Sequence, residues 1–426
     1  MIKTVKINEF PDNKELTAYQ KSKKILTPEY IYIPLFDNNI EYQCLVEINE
    51  KVKVGQVVAK SKKYDIPYHS SVSGEVESIE CKMWTTHNKM VNCIKIKNDY
   101  LDNSIINYSN HTLDRESLIK IIKECGIVGM GGAGFPTYIK YNNDNIKTLI
   151  INACECEPFI TCDYRLLLEQ TIKFINGIHY ALLATNAEQA VIAIKYNKKE
   201  VIEILNEYID DKIKIYKVKD MYPVGWEKYL VNKIIKKNYN KLPTEVNCIV
   251  SNVATIISVD EAIKYNKPLI EKMITVSGYS LNKPINVYCK IGTSFSEIIS
   301  NIGGLKDINE KSSLIVGGAM TGRSAINNNI VITKSLNSII ITPVIEKNNM
   351  ISCIGCGKCS LYCPSKLTPT QIIKQYTLKN NDELEKLKTL NCVSCGVCSY
   401  VCPSHIELTF LMNKSKEYLV RGKYGK

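Results

Sequence analysis

Two short cysteine blocks near the C-terminus constrain this chain more than any other feature. The first runs Cys353-Ile-Gly-Cys356-Gly-Lys-Cys359-Ser-Leu-Tyr-Cys363-Pro364 and the second Cys392-Val-Ser-Cys395-Gly-Val-Cys398-Ser-Tyr-Val-Cys402-Pro403. Each is C-x2-C-x2-C-x3-C-P, and the two lie 39 residues apart. Three cysteines spaced two apart wrap a tight loop whose thiolates converge on one cubane. The fourth, set off by a proline that turns the chain away, crosses to the other cluster. The spacing therefore predicts one [4Fe–4S] cluster on Cys353, Cys356, Cys359 and Cys402, and a second on Cys392, Cys395, Cys398 and Cys363. Gly355, Gly357 and Gly396 fit loops wrapped closely around such a cluster. Four-cysteine sets also bind zinc, but the doubled spacing with both prolines argues against it. A chain with two such clusters moves single electrons.

The rest of the 426 residues decides where those electrons come from. Hydrophobic residues make up 45%, enough to build a core, so a disordered chain is excluded. No stretch reaches the roughly 18 apolar residues of a membrane-spanning helix, and the N-terminal MIKTVKINEFPDNKEL has no secretory apolar region. The compartment is expected to be reducing, so the 17 cysteines point to metal or redox chemistry rather than disulfides. The net charge of +12 comes without an aromatic-interleaved basic patch, which argues against nucleic acid. It reads as compositional bias, useful at most for attracting an anionic dinucleotide or an acidic partner. The five histidines are isolated, without metal-ligand spacing to one another. Cys44, Cys81, Cys93, Cys125, Cys248 and Cys289 are scattered and expected to be structural.

Residues 1–100 read as short strands, with VKVGQVVAK (52–60) and SVSGEVESIE (71–80) alternating around Gly55 and Gly74. They are similar to the two hairpins of a lipoyl/biotinyl half-barrel. Lys63 stands roughly where such domains carry their modified lysine, although its flanks SKKYD fit poorly and an ordinary exposed lysine is the simpler reading. A helix over 113–126 precedes a glycine-rich loop. Strands at 147–158, 189–195 and 213–219 alternate with helices at 163–184 and 198–209, the pattern of a parallel α/β sheet. Residues 245–345 read as a small α+β unit, and the cluster domain follows from about 346 with one helix between its blocks and a basic tail after Phe410.

The loop Gly129-Met-Gly131-Gly132-Ala-Gly134-Phe135-Pro136-Thr resembles a dinucleotide fingerprint but lacks its context. A helix precedes it where a strand is needed, and Pro136 follows. It is either an unconventional anion cradle or a packing turn. Asn152-Ala-Cys154-Glu155-Cys156-Glu157-Pro158 ends a strand, where ligand sites of α/β sheets collect. Two glutamates and an asparagine there are costly to bury without a purpose.

GMGGAGFPTYIK, INACECEPFITCDYRLLLE and the two cysteine blocks together resemble the RnfC family, the iron–sulfur flavoprotein subunits of the Rnf ion-translocating electron transport complex. The loop also resembles GRGGAGFPTG of the NADH-binding flavoprotein subunit of respiratory complex I. The resemblance covers nearly the whole chain, from DNKELT onward. It implies a multidomain α/β and α+β protein: a barrel-sandwich hybrid (1–105), a complex I flavoprotein-like α/β domain binding FMN and NADH (106–245), an SLBB-like α+β domain (246–345) and a ferredoxin-like helical domain with two [4Fe–4S] clusters (346–426). Position by position it implies that Gly129, Gly131, Gly132 and Gly134 wrap noncovalent FMN, that Phe135 stacks near the nicotinamide, and that Lys140 meets FMN. Asn152, Glu155 and Glu157 would line the site, Glu227 would add a second acidic contact, and Asn252 and Thr255 would close over the flavin. Glu155, Glu157 and Cys154 are the candidate catalytic residues. The implied function is oxidation of NADH through FMN, with single electrons passed to a redox partner, either Rnf complex subunits or a soluble reductase. The expected location is cytoplasmic, free or docked peripherally on the cytoplasmic face of the membrane. A flavin suits the combination chemically, because NADH delivers a hydride and a cluster accepts one electron.

The chain departs from the family in three places. Cys154 replaces a residue that is usually Ala, Gly or Asp, and with Cys156 and Cys162 it makes a thiol group beside the proposed flavin. The family's Gly-Gly-Glu-Lys reads Gly225-Trp226-Glu227-Lys228, so Trp226 narrows the nucleotide site. A glycine-rich stretch near the family's N-terminus is missing. These differences suggest a paralogue, such as the RnfC-like protein that donates electrons to D-proline reductase in amino-acid-fermenting anaerobes, or the RnfC-like cobalamin reductase. Two other classes compete with the main reading: a flavin-free iron–sulfur module, and a thiol–disulfide enzyme built on Cys154 and Cys156.

Overall fold

The computed structural model describes residues 11–86, 89–107, 112–306, 311–325, 327–344 and 349–424. The expected strands within residues 1–10, and His87 and His111, lie outside the described residues. The chain forms two compact units. One spans Asp12–Pro343, and the other is built on Val344–Lys426.

The larger unit opens with two antiparallel four-stranded sheets. One orders Tyr30–Pro34, Met90–Asn98, Gly74–Trp84 and Lys51–Val52. The other orders Phe36–Asp37, Ile40–Cys44, Val57–Ser61 and Pro67–His69. Helix α1 (Arg115–Glu124) follows. Asp114 caps it by accepting from the Ser117 N–H (2.9 Å), and Leu118, Ile121 and Ile122 form its buried stripe. Gly126, at φ +65°, ends that run and starts the glycine loop, which leads into the short helix α2 (Thr137–Tyr141).

Next comes a parallel sheet ordered Ile213–Val218, Gln189–Lys195, Thr148–Ala153 and Cys248–Asn252. Its two inner strands, TLIINA and QAVIAIK, and the edge strand CIVSN are buried almost throughout, as strands covered on both faces must be. Helices α3 (Cys162–Glu169), α4 (Thr171–Thr185), α5 (Lys199–Asn206), α6 (Glu227–Ile235) and α7 (Val253–Tyr265) connect and flank these strands. One continuous core joins the barrel-sandwich to this layer, from Ile33, Ile66 and Tyr68 through Ile122, Val128 and Tyr141 to Ile151, Phe174 and Ile256.

A six-stranded mixed sheet completes the unit, ordered Lys23–Ile25, Ile285–Lys290, Glu271–Ser277, Ser338–Pro343, Ser312–Val316 and Arg323–Ser324, with helix α8 (Phe295–Asn301) beside it.

Three expectations are corrected. The division at 245/246 cuts through the parallel sheet: Cys248–Asn252 pairs with Thr148–Asn152, and α7 follows directly. The helix expected over 163–184 is two helices, broken at Gln170, whose φ of −135° and ψ of 35° lie outside the helical region. Between the cysteine blocks stand two helices, α10 (Pro369–Thr377) and α11 (Asn381–Lys386), after the short α9 (Lys358–Leu361). The basic tail is helical, Leu408–Tyr424.

Candidate functional site

The chain visits the parallel sheet from Thr148–Ala153 outward to Gln189–Lys195 and Ile213–Val218. It then returns to the opposite side of the first strand with Cys248–Asn252. The strand order therefore reverses between the first and last of these strands, and ligands bind at the carboxyl ends of such a switch point. Asn152 and Asn252 stand there as register partners. Asn152 Nδ2 donates to the Gly225 carbonyl (2.7 Å). Asn252 Oδ1 caps α7 by accepting from the Ala254 N–H (2.9 Å).

Around this point lies a cleft of about 270 Å³ lined by Gly129, Gly131, Phe135, Lys140, Asn152, Glu227, Asn252 and Thr255, with Trp226 as one wall. Eight of the ten expected cofactor-binding residues thus meet in one place. The Met130 N–H donates to Thr255 Oγ1 (2.9 Å), tying the glycine loop to α7. Lys140 Nζ donates to the Val250 carbonyl (2.9 Å). Burial holds its ammonium below the ordinary lysine range, with Glu227 acting against that shift. Glu227 begins α6 and accepts from Tyr239 Oη (2.9 Å). The cleft therefore presents a half-buried cation and the N-termini of α6 and α7, a donor set suited to a phosphate. A β-carbon at Gly225 would crowd Cys156 Sγ at 3.2 Å, so the wall there has closed to backbone distance. This donor set and the glycine-lined wall fit FMN. Gly132 (φ +109°) and Gly134 (φ +62°) shape the loop without lining the cleft.

A second hollow adjoins the first, sharing Gly131, Asn152, Gly225 and Asn252, and it is lined by Glu155, Cys156, Glu157, Cys162, Asp163 and Lys272. Glu155 Oε1 accepts from the Asp163 N–H (2.7 Å), while Oε2 faces Lys14 Nζ at 3.9 Å. Asp163 Oδ2 accepts from Asn252 Nδ2 (2.6 Å). Burial raises both carboxyls; for Asp163 the neighbouring Glu155 adds to the rise, and for Glu155 the Lys14 ammonium opposes it. Glu157 is fully engaged. Its Oε1 accepts from Thr321 Oγ1 (2.8 Å) and Tyr222 Oη (3.2 Å), and its Oε2 from the Met320 N–H (2.9 Å).

Cys154 is a correction. Its side chain lies in an apolar cluster with Ala193, Val218, Val224 and Leu230, donates to the Ala193 carbonyl (3.4 Å), and lines neither hollow. Burial pushes the thiols of Cys154, Cys156 and Cys162 up. A thiolate nucleophile needs the opposite shift, so the thiol–disulfide reading loses its basis. Lys14 is a site residue that motif reading misses. It is buried beneath the acidic loop, where its Nζ donates to the carbonyls of Glu157 (3.0 Å) and Ile160. Motif reading also passes over Asp163, Lys272 and the Gly317–Gly322 turn that holds Glu157. The one signal for Lys14 is DNKELT, which marks the start of the family resemblance without giving any of its residues a role.

In the C-terminal unit the eight block cysteines gather around two separate hollows. Cys353, Cys356, Cys359 and Cys402 surround one hollow, and Cys363, Cys392, Cys395 and Cys398 surround another. None of the eight is tied up in a disulfide. Gly355, Gly357 and Gly396 have φ of +71°, +71° and +82°, the backbone turn each loop needs to curl around its hollow. Two cages of four converging thiols fit two [4Fe–4S] clusters.

Comparison with known proteins agrees with this geometry. Three family models match: the RnfC barrel sandwich hybrid domain over residues 8–100, the Nuo51 FMN-binding domain over 122–261, and a 4Fe-4S dicluster domain over 352–406. The chain is 31% identical to a subunit of the proton-translocating ferredoxin:NAD(+) oxidoreductase complex of Clostridium ljungdahlii, over 87% of this chain and 84% of that protein. It is 30% identical to a subunit of the Na(+)-translocating ferredoxin:NAD(+) oxidoreductase complex of Acetobacterium woodii, over 87% and 86%. Among solved structures, an NAD+-reducing [NiFe]-hydrogenase in the H2-reduced state shares the fold, with a TM-score of 0.51 and 17% identity over 73% of this chain and 62% of that one. The fold and site define a flavo-iron–sulfur electron-transfer protein, an oxidoreductase component with an FMN-binding domain and a [4Fe–4S] dicluster domain. The chain belongs to the RnfC family. No helix among the described residues is long and apolar enough to cross a membrane.

Proposed function

We propose that this chain takes electrons from NADH at the switch-point cleft and passes them singly, through its two cluster cages, to a redox partner protein. One observation carries the reading: a phosphate-suited cleft at a parallel-sheet switch point shares a chain with two four-thiol cages. FMN, when bound, accepts a hydride and releases electrons one at a time. Lys140 and the starts of α6 and α7 would hold its phosphate, and the glycine loop lets backbone approach closely. Asn152 and Gly225, hydrogen-bonded to each other, fix the floor. Phe135, 39% exposed at the mouth, offers a face to a planar ring. Trp226 narrows the entrance and limits water. Glu155, Glu157 and Asp163 put acidic groups next to the reacting end, with Lys14 and Lys272 as counter-charges.

The partner we propose is a subunit of an ion-translocating membrane complex on which this chain docks from the cytoplasmic side. The length match with subunits of such complexes supports it. A soluble acceptor such as D-proline reductase, or a cobalamin reductase role, leans on three departures from the family, and one of them is weakened because the Cys154 side chain faces away from the cleft. Anaerobically purified chain should carry FMN and about eight irons, two clusters of four, and NADH should bleach its flavin band. Eight irons without flavin, or a flavin that NADH leaves oxidised, would sink the proposal. Co-purification with membrane subunits or with a soluble reductase decides the partner.

A further inference from the structure

We propose that the N-terminal barrel-sandwich is a working part of the cleft: two of its turns clamp the glycine loop, and Asn38 and Tyr64 are positioning residues for the bound flavin and dinucleotide. For the dinucleotide, the inference rests on the cleft's assignment above.

The first turn joins Phe36–Asp37 to Ile40–Cys44. Asn38, at φ +50°, anchors its amide by donating Nδ2 to Ser335 Oγ (2.6 Å). The same amide sits against Gly134, where any β-carbon would collide with it. Gly134 is therefore held by a left-handed backbone and by a barrel-sandwich side chain together.

The second turn is the tip between Val57–Ser61 and Pro67–His69, the hairpin that carries Lys63. Asp65 pins it, with carboxylate oxygens 2.6 Å from both Lys60 Nζ and Lys123 Nζ of α1. Tyr138 Oη of α2 donates to the Tyr64 carbonyl (2.5 Å). The Tyr64 ring then meets Phe135 edge-on, with centroids 6.1 Å apart and planes at 68°. Lys63 Nζ lies over the Tyr64 ring at 4.9 Å, so this lysine serves the clamp.

Phe135 lines both the cleft and the apolar groove beside it, so its orientation sets the shape of the mouth. Among the described residues, Tyr64 is its aromatic neighbour. A mouth ring with one edge fixed loses less freedom when a ligand stacks on it. The Tyr64 hydrogen bond to Tyr138 runs through the backbone, so side-chain substitution leaves it in place.

The test uses the full-length chain with its clusters. NADH oxidation is followed with ferricyanide as acceptor, and FMN affinity by fluorescence titration after flavin removal. Tyr64→Ala should raise KM for NADH about 2- to 10-fold, the worth of one aromatic edge contact, with kcat little changed. Tyr64→Phe should behave as wild type. Asn38→Ala should weaken FMN binding over a similar range, without loss of iron. Unchanged KM in Tyr64→Ala together with unchanged FMN affinity in Asn38→Ala overturns the inference. If wild-type flavin is not reduced by NADH, the proposed function fails on its own account. FMN affinity of the Asn38→Ala/Tyr64→Ala double variant then decides the clamp, a weaker affinity supporting it and an unchanged one overturning it. Should Tyr64→Ala lose iron as well as flavin, Asp65→Asn, which loosens the tip and spares the ring, is read by the same two assays.

Discussion

Asp163 gathers more of this site's chemistry into one side chain than any residue the motifs named. It accepts from Asn252 at the mouth of the sheet, and its N–H holds Glu155. Its carboxyl, that of Glu155 and the thiol of Cys162 place their ligating atoms within 4.8 Å of one another. Burial and Glu155 raise the Asp163 pKa, so the folded chain keeps a proton that the unfolded chain releases above about pH 4. The stability this supplies is complete below that pH and disappears as pH climbs through the raised folded value. Asp163→Asn removes the titration and can still accept from Asn252. Its thermal midpoint should therefore fall less than that of wild type between about pH 5 and 8, as measured by scanning calorimetry of the two side by side. Parallel curves would mean that Asp163 is ionised throughout. None of this was legible in the sequence, where Asp163 is one acid in a helix start. Its meaning comes from Glu155 and from Asn252, 89 residues later.

The elements were easier to read than their boundaries. Runs such as QAVIAIK and TLIINA can only be covered strands, and they are. The last strand escapes a reading by pattern because CIVSN is short and follows a polar 3₁₀ turn, Pro243–Val246, which looks like a domain seam. The break at Gln170 is invisible because apolar residues continue at helical spacing across it. The cysteine loops were legible because ligand spacing is local, and the glycines that curl them carry the positive φ values their positions demand. Cys402 joins the first cage and Cys363 the second, across the block boundary. Cys402→Ser should accordingly alter the paramagnetic signal of the Cys353-Cys356-Cys359 cluster and leave that of the Cys392 block, resolved by electron paramagnetic resonance at stepped potentials. Damage confined to the Cys392 block's own signal would reverse the assignment.

At the scale of the larger unit, three stretches far apart in sequence meet beneath the glycine loop. Lys334, 1% exposed, donates to the carbonyls of Pro67 (2.7 Å) and Gly126 (2.8 Å) and lies over the Tyr68 ring at 4.4 Å. It links the six-stranded sheet to the barrel-sandwich and to the start of the loop. Burial pushes its pKa down to about 7, so it sits at the edge of losing its charge and is held by those carbonyls. Lys334→Met leaves two buried acceptors unpaired and should cost about 1–3 kcal/mol, read as a lower denaturation midpoint with FMN released earlier in the titration. An unchanged midpoint would show that water replaces the ammonium. Read along its length, the sequence suggests four modules in a row. It could not announce that three of them share contacts around one loop, since such contacts leave no periodic trace.

The crossed cysteines have a mechanical corollary. Each cage draws three sulfurs from one block and one from the other, so the filled cages act as two crosslinks across the stretch that carries α10 and α11. A protease that nicks this stretch once would separate nothing: the two pieces should migrate together while iron is in place and part only when it is chelated. The iron that carries the electrons would also rivet the unit that holds it.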